Sequence, residues 1–366
     1  MNPFRDKKVL VFGHTGFKGS WAMAWLSKLG SSVFGFSQQL KGPDSLFQSA
    51  SLDDVGPTYF GDIADFDTIF ETIENVKPDL IFNFAALALV EDCHFDPVTA
   101  TKTNVLGTVN ILTACKQLNM DVPIVIVTSD KCYENIEMPW SYRENDSLGG
   151  HDIYSASKAS CELMVSAIRR SYSNEGLSRV VTVRAGNVIG GGDASKNRLL
   201  PEAARIWSQA GEFIVSNPKA TRPWQFVLEP LAGYFCVASR LLSNEKVAFS
   251  YNFGPRPSQC LQVHEVVEMA SIYWQQQGCG KAVVKSLEHG GSRGYKEHEI
   301  LKLNSELAEA DLGWGCVLTT KEAVDWTMSW YVNHFTDKGA SGIAAVEHLI
   351  DSYCSLLPYD WAGASA

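Results

Sequence analysis

Apolar positions follow two patterns along the first half of the chain. Six short apolar runs predict buried strands, at Lys8–Phe12, Ser32–Phe36, Thr58–Phe60, Leu80–Asn83, Ile124–Thr128 and Val180–Arg184. Longer segments between them predict helices, at Ser20–Leu29, Asp65–Val76, 98–118 and 154–173. Because strands alternate with helices, the predicted fold class is α/β, with a doubly wound parallel (Rossmann-type) sheet.

The pattern becomes less regular after Arg184. Three stretches that contain Gly or Pro, 186–193, 223–225 and 252–257, predict loops over a cleft. The segment 260–315 predicts a small α/β lobe, and 340–366 could add one amphipathic helix.

Length and charge narrow the class of protein. A chain of 366 residues favours one large α/β domain plus a smaller one. The net charge of −10 argues against non-specific nucleic-acid binding, although a few local Arg and Lys residues could still hold a nucleotide. No apolar run approaches the ~20 residues of a membrane helix, so neither nucleic acid nor a membrane is an expected partner.

The cysteines indicate the compartment. Nine are scattered along the chain without a C-x-x-C pair, which favours reduced thiols over a disulfide framework. After MNPFRD the chain enters a predicted strand at once, without the apolar region of a signal peptide. We therefore expect a cytoplasmic protein, and no metal site is predicted.

A glycine-rich turn follows the first predicted strand. Gly13, Gly16 and Gly19 have the spacing G-x-x-G-x-x-G, which differs from the common G-x-G-x-x-G fingerprint. Glycines permit a tight turn and let backbone N–H groups approach a pyrophosphate at the start of a helix. A purely structural turn is the alternative. The strand before it, the helix after it and the acidic residue near the end of the third strand favour a dinucleotide site.

The choice of dinucleotide stays open at this stage. The second strand ends Phe36-Ser37-Gln38-Gln39, without the acid that normally binds the ribose of NAD. Lys18 and Lys41 could contact a 2′-phosphate or be solvated surface residues. Asp62 could accept a hydrogen bond from the adenine amino group. The predicted cofactor is NAD, with NADP as the alternative, and the predicted cofactor-binding residues are Gly13, Thr15, Gly16, Phe17, Gly19, Asp62, Ile63, Phe84, Ala85 and Ala86.

A candidate reaction centre follows the fifth strand. Ser129 lies at the carboxyl end of that strand, where side chains face the ligand crevice of a parallel sheet. Tyr154 and Lys158 are four residues apart and share one helix face. Tyr154, its pKa lowered by Lys158 and a cationic nicotinamide, could remove the proton of a hydroxyl that Ser129 orients. An ordinary surface pair is the alternative for the Tyr-x-x-x-Lys spacing alone.

Asp130 and Lys131 add two titratable groups directly after Ser129. An acid could protonate a leaving hydroxyl while a base takes a carbon-bound proton, which is elimination of water next to a ketone. The alternative is that Asp130 caps the following segment and that Lys131 is a solvated loop residue.

Several motifs together resemble the CDP-glucose 4,6-dehydratases, which are extended short-chain dehydrogenase/reductase enzymes. The resemblance runs from about residue 5 to about residue 330 and rests on GHTGFKGSW, GDIADF, TSDKCYEN, YRENDSLGGHDIYSASK, RAGNVIGGGD, NRLLPE, RPWQFVLEPLAGY and NFGP. It implies a nucleotide-sugar 4,6-dehydratase with a tightly held NAD. A 4-epimerase or reductase of the same fold is the nearest alternative, and a non-catalytic nucleotide-binding protein is another.

The resemblance also implies roles for single residues. Tyr154 would be the base in oxidation at sugar C4, with Lys158 and Ser129 assisting. Lys131 would take the C5 proton, and Asp130 would protonate the departing C6 oxygen. Residues near the phosphates and base of the nucleotide-sugar would be Asn187, Arg198, Leu199 and Arg222. Apolar positions on more than one face of 98–118 and 154–173 predict a homodimer through a four-helix bundle, which the resemblance supports.

One segment departs from the family pattern. The family usually carries Gln-Pro-Leu-Val-Arg after the fourth strand, whereas this chain has Leu87 in place of the Gln and Glu91 and Asp92 at the basic positions. The change leaves open which sugar and nucleotide are accepted.

The predicted organisation follows from these sites. The segments are expected to form a dinucleotide-binding domain at 1–185, to which 226–254 returns, a substrate-binding lobe at 186–225 and 255–330, and a C-terminal helical tail at 331–366.

Overall fold

A central parallel sheet of seven strands organises the chain. The computed structural model describes residues 2–38, 45–286, 298–336 and 342–359. In chain order the strands are β1 (Lys8–Phe12), β2 (Ser32–Ser37), β3 (Thr58–Phe60), β4 (Leu80–Asn83), β5 (Ile124–Val127), β6 (Val180–Ala185), β7 (Val188–Ile189), β8 (Glu212–Val215), β9 (Thr221–Arg222), β10 (Gln225–Phe226), β11 (Ser250–Phe253), β12 (Leu261–Gln262) and β13 (Val283–Ser286). The sheet order is β11-β6-β5-β4-β1-β2-β3, which confirms the predicted fold class.

The helices of the described residues connect and cover these strands. They are α1 (Phe17–Lys28), α2 (Leu46–Ser49), α3 (Phe66–Val76), α4 (Val90–Phe95), α5 (Pro97–Thr101), α6 (Gly107–Gln117), α7 (Ile153–Ser171), α8 (Leu199–Ser208), α9 (Leu228–Leu242), α10 (Val263–Gln276), α11 (Glu306–Leu312), α12 (Thr320–Thr336) and α13 (Ile343–Cys354). A π-helical turn, Lys102–Leu106, joins α5 to α6 into the long helical stretch that the sequence predicts. In the described residues, no helix is long and apolar enough to cross a membrane.

The six predicted strands are confirmed, but the start of the first helix and all three predicted loops differ from the prediction. The loop 186–193 contains β7, and the loop 223–225 ends in β10, which pairs with β7. The first helix begins at Phe17 rather than Ser20, because Gly16 already occupies the position before its first turn. The predicted loop 252–257 contains the end of β11, which pairs in parallel with β6. Its four residues, Ser-Tyr-Asn-Phe, mix polar and apolar types, so pairing with β6 rather than local pattern makes them a strand.

Alternation along β1 divides the core between the two faces of the sheet. Val9 and Val11 pack with α1 and α9, where Trp25 and Phe235 lie 5.0 Å apart between ring centroids. Leu10 belongs to the opposite core, together with apolar residues of α3, α6 and α7. Because successive strand residues point to opposite faces, both helix layers are held by the same short strands.

The C-terminal helix expected within 340–366 is present as α13. It packs against α1, where the rings of Tyr353 and Trp25 meet edge to face at 5.8 Å between centroids. Lys28 and Asp351 form an ion pair at 3.0 Å. Tyr353 also donates a hydrogen bond of 2.7 Å to the buried carboxylate of Glu229 on α9. The C-terminal helix therefore packs into the core on the side of the sheet that α1 and α9 cover.

Candidate active site

The glycine-rich turn places a helix N-terminus at the carboxyl edge of the sheet. Gly13 has φ +77°, and a Cβ there would lie 2.6 Å from the amide nitrogen of Ala85. A Cβ at Gly19 would overlap the carbonyl oxygen of Gly13, whereas one at Gly16 would meet only that oxygen at 3.3 Å. Gly16 is exposed, and no side chain caps the first turn of α1. The N–H groups of this first turn have no side-chain cap and could hold an anion such as a pyrophosphate.

Several predicted cofactor residues border this turn on the side of β2 and β3. Thr15 Oγ1 lies 2.6 Å from Ser37 Oγ, so the end of β2 presents a hydroxyl pair instead of an acid. Asp62 is exposed, and its Oδ1 accepts a hydrogen bond of 2.9 Å from the amide of Ala64. Ile63, next to it, is buried. A carboxylate and two hydroxyls are thus available along one edge.

The other predicted cofactor residues follow β4 and β1. The amide of Phe84 donates to Phe12 O at 2.9 Å, and the amide of Ala85 donates to Asn83 Oδ1 at 3.0 Å. Ala86 continues this segment. Phe17 begins α1, and a Cβ at Gly190 would lie 3.1 Å from its ring. The structure therefore brings the Phe84–Ala86 segment against Gly13.

Lys18 is not a solvated surface residue, so that interpretation of its side chain is wrong. Its side chain is half-buried. Burial, and then the charges of Lys158 and Arg198, lower its pKa to about 8, while Asp130 and Asp193 act in the opposite direction. Lys18 therefore faces the reaction centre. Lys41 and Gln39, the other residues considered for the ribose, lie outside the described residues.

The structure brings the predicted reaction centre together where β5 ends. The Ser129 hydroxyl donates to Asp130 Oδ1 at 3.0 Å and accepts from the amide of Lys131 at 3.2 Å. Ser129, not Asp130, therefore caps the short 3-10 turn Asp130–Cys132, so the capping interpretation of Asp130 is wrong. Lys158 on α7 is buried and donates to Val127 O at 3.3 Å.

Asp130 is buried with one free carboxylate oxygen. Its Oδ2 has no hydrogen-bond partner among the described residues. The close approach of the next strand depends on Gly186, where a Cβ would lie 3.3 Å from this oxygen. Burial raises the pKa of Asp130, against the opposing effects of Lys131 and of the hydrogen bond from Ser129. A raised pKa favours the protonated carboxyl, which is the form that can act as an acid.

The pKa of Tyr154 differs from the expectation. Burial raises it to about 12, although a hydrogen bond with Ser129 and the charge of Arg198 lower it. Burial also lowers the pKa of Lys158. The protein alone does not lower the pKa of Tyr154, because desolvation of the phenolate outweighs the nearby positive charges. Only an added positive charge, such as that of an oxidised nicotinamide, would reverse the shift.

A cavity adjoins the reaction centre beside Lys131. Lys131 is half-buried and lines it together with Asp152, His151, Arg222 and His298. Asp152 also caps α7 by accepting from the amide of Ser155 at 2.9 Å. The loop before Tyr154 therefore forms one wall of the space that Lys131 reaches.

The predicted substrate residues lie around the same cavity but differ in their burial and in their hydrogen bonds. Arg222 is buried and donates to the carbonyl oxygens of His298 and Glu299 at 2.6 and 3.1 Å. Arg198 Nε lies 3.6 Å from Asp193 Oδ2, immediately before α8, whose first residue is Leu199. Arg198 is partly exposed and electrostatically close to Tyr154.

Asn187 forms the start of the substrate-side loop. It is half-buried, and its carbonyl accepts from the amide of Gln225 at 3.0 Å. The altered segment Leu87–Asp92, which departs from the family pattern, contacts the same loop, because Glu91 Oε2 accepts from Asn197 Nδ2 at 2.7 Å. Glu91, which stands where the family usually has a basic residue, therefore contacts the residue next to Arg198.

Sequence reasoning missed Asn104 in the π-helical turn. Its Nδ2 donates to Ser157 Oγ at 2.8 Å and to Leu87 O at 3.1 Å, and its Oδ1 accepts from the amide of Leu87 at 2.8 Å. It therefore joins α7 to the altered segment. A polar residue on the inner face of a long helix was the available signal.

Comparisons with known proteins agree with this geometry. The model of the family described as GDP-mannose 4,6 dehydratase matches residues 10–335. CDP-glucose 4,6-dehydratase of Salmonella typhimurium is 39% identical over 340 residues, covering 90% of this chain and 92% of the relative.

Two solved structures share the fold. The dTDP-glucose 4,6-dehydratase of Bacillus anthracis, in complex with NAD, is 21% identical with a TM-score of 0.73, covering 89% of this chain and 96% of that one. The UDP-glucose-4-epimerase of Stenotrophomonas maltophila is 18% identical with a TM-score of 0.76, covering 90% and 98%. Because the family model spans residues 10–335 and a relative that covers most of the chain is 39% identical to it, the chain belongs to the GDP-mannose 4,6 dehydratase family.

Proposed function

We propose that the chain is a nucleotide-sugar 4,6-dehydratase that converts CDP-glucose to its 4-keto-6-deoxy product. The observation that carries the proposal is Asp130, a buried carboxyl with a raised pKa and a free oxygen beside Ser129. Oxidation alone needs no such acid, whereas loss of water does. The 39% identity to a CDP-glucose 4,6-dehydratase supports the same choice and the nucleotide.

We propose NAD as the cofactor. The open N-terminus of α1 fits the pyrophosphate, and the exposed Asp62 fits the adenine. Structural neighbours in complex with NAD support the choice. When bound, the nicotinamide would accept a hydride from sugar C4 and return it to C6.

Oxidation at C4 would use Tyr154 as the base. Its phenolate takes the proton of the C4 hydroxyl while Ser129 holds that hydroxyl. Loss of this proton, together with loss of the hydride that a bound nicotinamide would accept, would leave a carbonyl at C4. Because burial raises the pKa of Tyr154, the phenolate depends on the positive charges of the cofactor and of Lys158.

Elimination would use Lys131 and Asp130. The new ketone acidifies the C5 hydrogen, which Lys131 takes as a proton in its role as the base. The electron pair forms the C5–C6 double bond, the C6–O bond breaks, and Asp130 protonates the departing oxygen, so water leaves. Addition of the returned hydride at C6 and of a proton at C5 would give the 4-keto-6-deoxy product without net change in the cofactor.

The remaining expectations stay proposals. Residues 1–185 with 226–254 would bind NAD, and 186–225 with 255–330 would bind the nucleotide-sugar. A cytoplasmic location is supported by nine free cysteines. A homodimer is supported by exposed apolar side chains on α7, Leu163 and Met164.

Incubation with a panel of nucleotide-hexoses tests the function. We expect CDP-glucose to give a product that has lost the mass of one water, without added stoichiometric cofactor. The alternative is a nucleotide-sugar 4-epimerase, because an epimerase shares this fold. It would give a product of unchanged mass with inverted C4, and that result would refute dehydration.

A further inference from the structure

A buried ion pair lies behind the reaction centre. Glu162 is on α7, four residues after Lys158, and Arg184 is on β6. Arg184 Nε and Nη2 donate to Glu162 Oε1 and Oε2, each at 2.8 Å, and both side chains are at most 4% exposed. Against the effect of burial, the hydrogen bonds and charge of Arg184 lower the pKa of Glu162. The pair is therefore a charged, bidentate contact that fixes α7 against the sheet.

The carboxylate of this pair also holds the residue before the reaction centre. The hydroxyl of Thr128 donates to Glu162 Oε1 at 2.5 Å, and the hydroxyl of Thr182 donates to Oε2 at 2.7 Å. Thr128 directly precedes Ser129. The upstream end of the catalytic segment is thereby tied to the helix that carries Tyr154.

The guanidinium holds the residue after the reaction centre. Arg184 Nη1 donates to the hydroxyl of Tyr133 at 2.7 Å, and that hydroxyl donates to Asn252 Oδ1 at 2.7 Å. The Tyr133 ring is buried and stacks on Tyr142, with centroids 5.3 Å apart and planes 17° apart. The downstream end of the segment is thus tied to the same ion pair.

We propose that the Glu162–Arg184 pair holds both ends of the segment Ser129–Cys132, and that Thr128 and Tyr133 are positioning residues that align Asp130 and Lys131 with Tyr154 for water elimination. A buried ion pair is often no more stabilising than apolar residues of the same volume, so stability alone does not account for it. Asp130 and Lys131 lie on the segment after β5, and Tyr154 lies on α7. The distance between these two elements must be fixed, because small misplacements of reacting groups cost large factors in rate. The inference rests on the proposed function.

Removal of one hydroxyl tests this arrangement. Tyr133→Phe deletes the group that Arg184 and Asn252 share, and it keeps the stacked ring. Tyr142→Phe is the matched control, because the Tyr142 hydroxyl donates to Asn135 Oδ1 at 3.0 Å and accepts from the amide of Ile136 at 2.9 Å, so these bonds do not involve the ion pair. A single turnover of CDP-glucose is quenched, and the oxidised sugar that retains its C6 oxygen is separated by mass from the sugar that has lost water.

We expect Tyr133→Phe to slow water loss by about tenfold or more and to leave C4 oxidation nearly unchanged, so that the oxidised sugar accumulates. Tyr142→Phe should keep the wild-type ratio, and thermal unfolding of both variants should be similar. Equal slowing of both steps in Tyr133→Phe, or a wild-type ratio of oxidised to dehydrated sugar in that variant, would overturn the inference. The proposed function would still stand if the wild-type protein releases water. A wild-type protein that releases no water refutes both.

The upstream end gives a second test that does not depend on the folding of Tyr133→Phe. Thr128→Val removes the hydroxyl that reaches Glu162 with almost no change in volume, and Thr128→Ser restores it. We expect Thr128→Val to lower kcat with KM unchanged and Thr128→Ser to recover the wild-type kcat. A Thr128→Val variant with wild-type kcat would remove Thr128 from the proposed role.

Discussion

Burial raises the pKa of both Asp130 and Tyr154, with opposite consequences for the roles of the two groups. For Asp130 it favours the protonated carboxyl, the form that can donate to a departing oxygen. For Tyr154 it disfavours the phenolate, the form that a base at the C4 hydroxyl needs. Activity should therefore fall at high pH as Asp130 loses its proton, and at low pH as Tyr154 keeps its own.

Tyr154→Phe should lower turnover by about 10²–10⁴-fold with the affinity for the nucleotide-sugar retained, because only the base is lost. Steady-state rates and calorimetric titration measure the two quantities. Tyr172→Phe, at the other end of α7, is the control and should behave as wild type. A Tyr154→Phe variant that keeps most of its turnover would exclude Tyr154 as the base.

Asp130→Asn should separate dehydration from oxidation. The amide keeps the shape but cannot protonate the C6 oxygen, so water loss should slow by roughly 10²-fold or more while the 4-ketone still forms. Lys131→Ala should block exchange of the C5 hydrogen with solvent deuterium. Mass spectrometry of quenched reactions reads both effects. Dehydration at the wild-type rate in both variants would contradict the assignment.

At the scale of elements, the first turn of α1 separates two demands on glycine. Gly19 packs against the carbonyl of Gly13 with no room for a Cβ, whereas Gly16 is exposed and a Cβ there would meet only that carbonyl oxygen, at 3.3 Å. The first glycine serves the fold of the turn. The second would serve the approach of a ligand to the helix N-terminus.

Gly19→Ala should therefore destabilise the apo protein by roughly 1–3 kcal/mol through overpacking. Gly16→Ala should disturb thermal unfolding of the apo protein far less, because its Cβ would meet only the Gly13 carbonyl oxygen at 3.3 Å, and should weaken NAD binding by about tenfold or more, a loss of about 1.4 kcal/mol. Unfolding scans and calorimetry distinguish the variants. Unchanged NAD affinity in Gly16→Ala would argue that the cofactor lies elsewhere.

At the scale of the whole molecule, apolar side chains remain exposed on the long helices. Leu163 and Met164 on α7 are 58% and 40% exposed, and Leu106 in the π-helical turn is 41% exposed. Pairing of these helices across a two-fold axis would cover them.

We expect a dimer by light scattering at micromolar concentration, and a monomer for the double variant Leu163→Glu with Met164→Glu. Ile272→Glu, an equally exposed apolar position on α10, is the control and should stay dimeric. A monomeric wild-type protein would refute the four-helix interface.

Glu229 should make stability depend on pH. Burial raises its pKa from 4.5 to about 7, although Tyr353 and the amides of Leu318 and Val317 donate to it. Between these two values the folded protein binds more protons than the unfolded chain, so the free energy of unfolding falls as pH rises through the window. Glu229→Gln should flatten this dependence in thermal unfolding, whereas the exposed Glu347→Gln should keep it. An unchanged slope in Glu229→Gln would show that Glu229 is not its source.

The local signals in the sequence determined a large part of this protein. Apolar runs placed six strands of the central sheet, glycine spacing placed the turn, and the four-residue spacing of Tyr154 and Lys158 placed them on one helix face. These signals need only neighbouring residues, because strand and helix periods act over a few positions.

Tertiary structure decided the features that depend on distant residues. The raised pKa of Asp130 follows from its burial next to Gly186, and the strand β11 exists because β6 lies beside it. The contact of Arg184 with Tyr133 joins residues 51 positions apart. Desolvation and buried charge pairing arise only when the whole chain has packed, so no local pattern along the sequence could predict them.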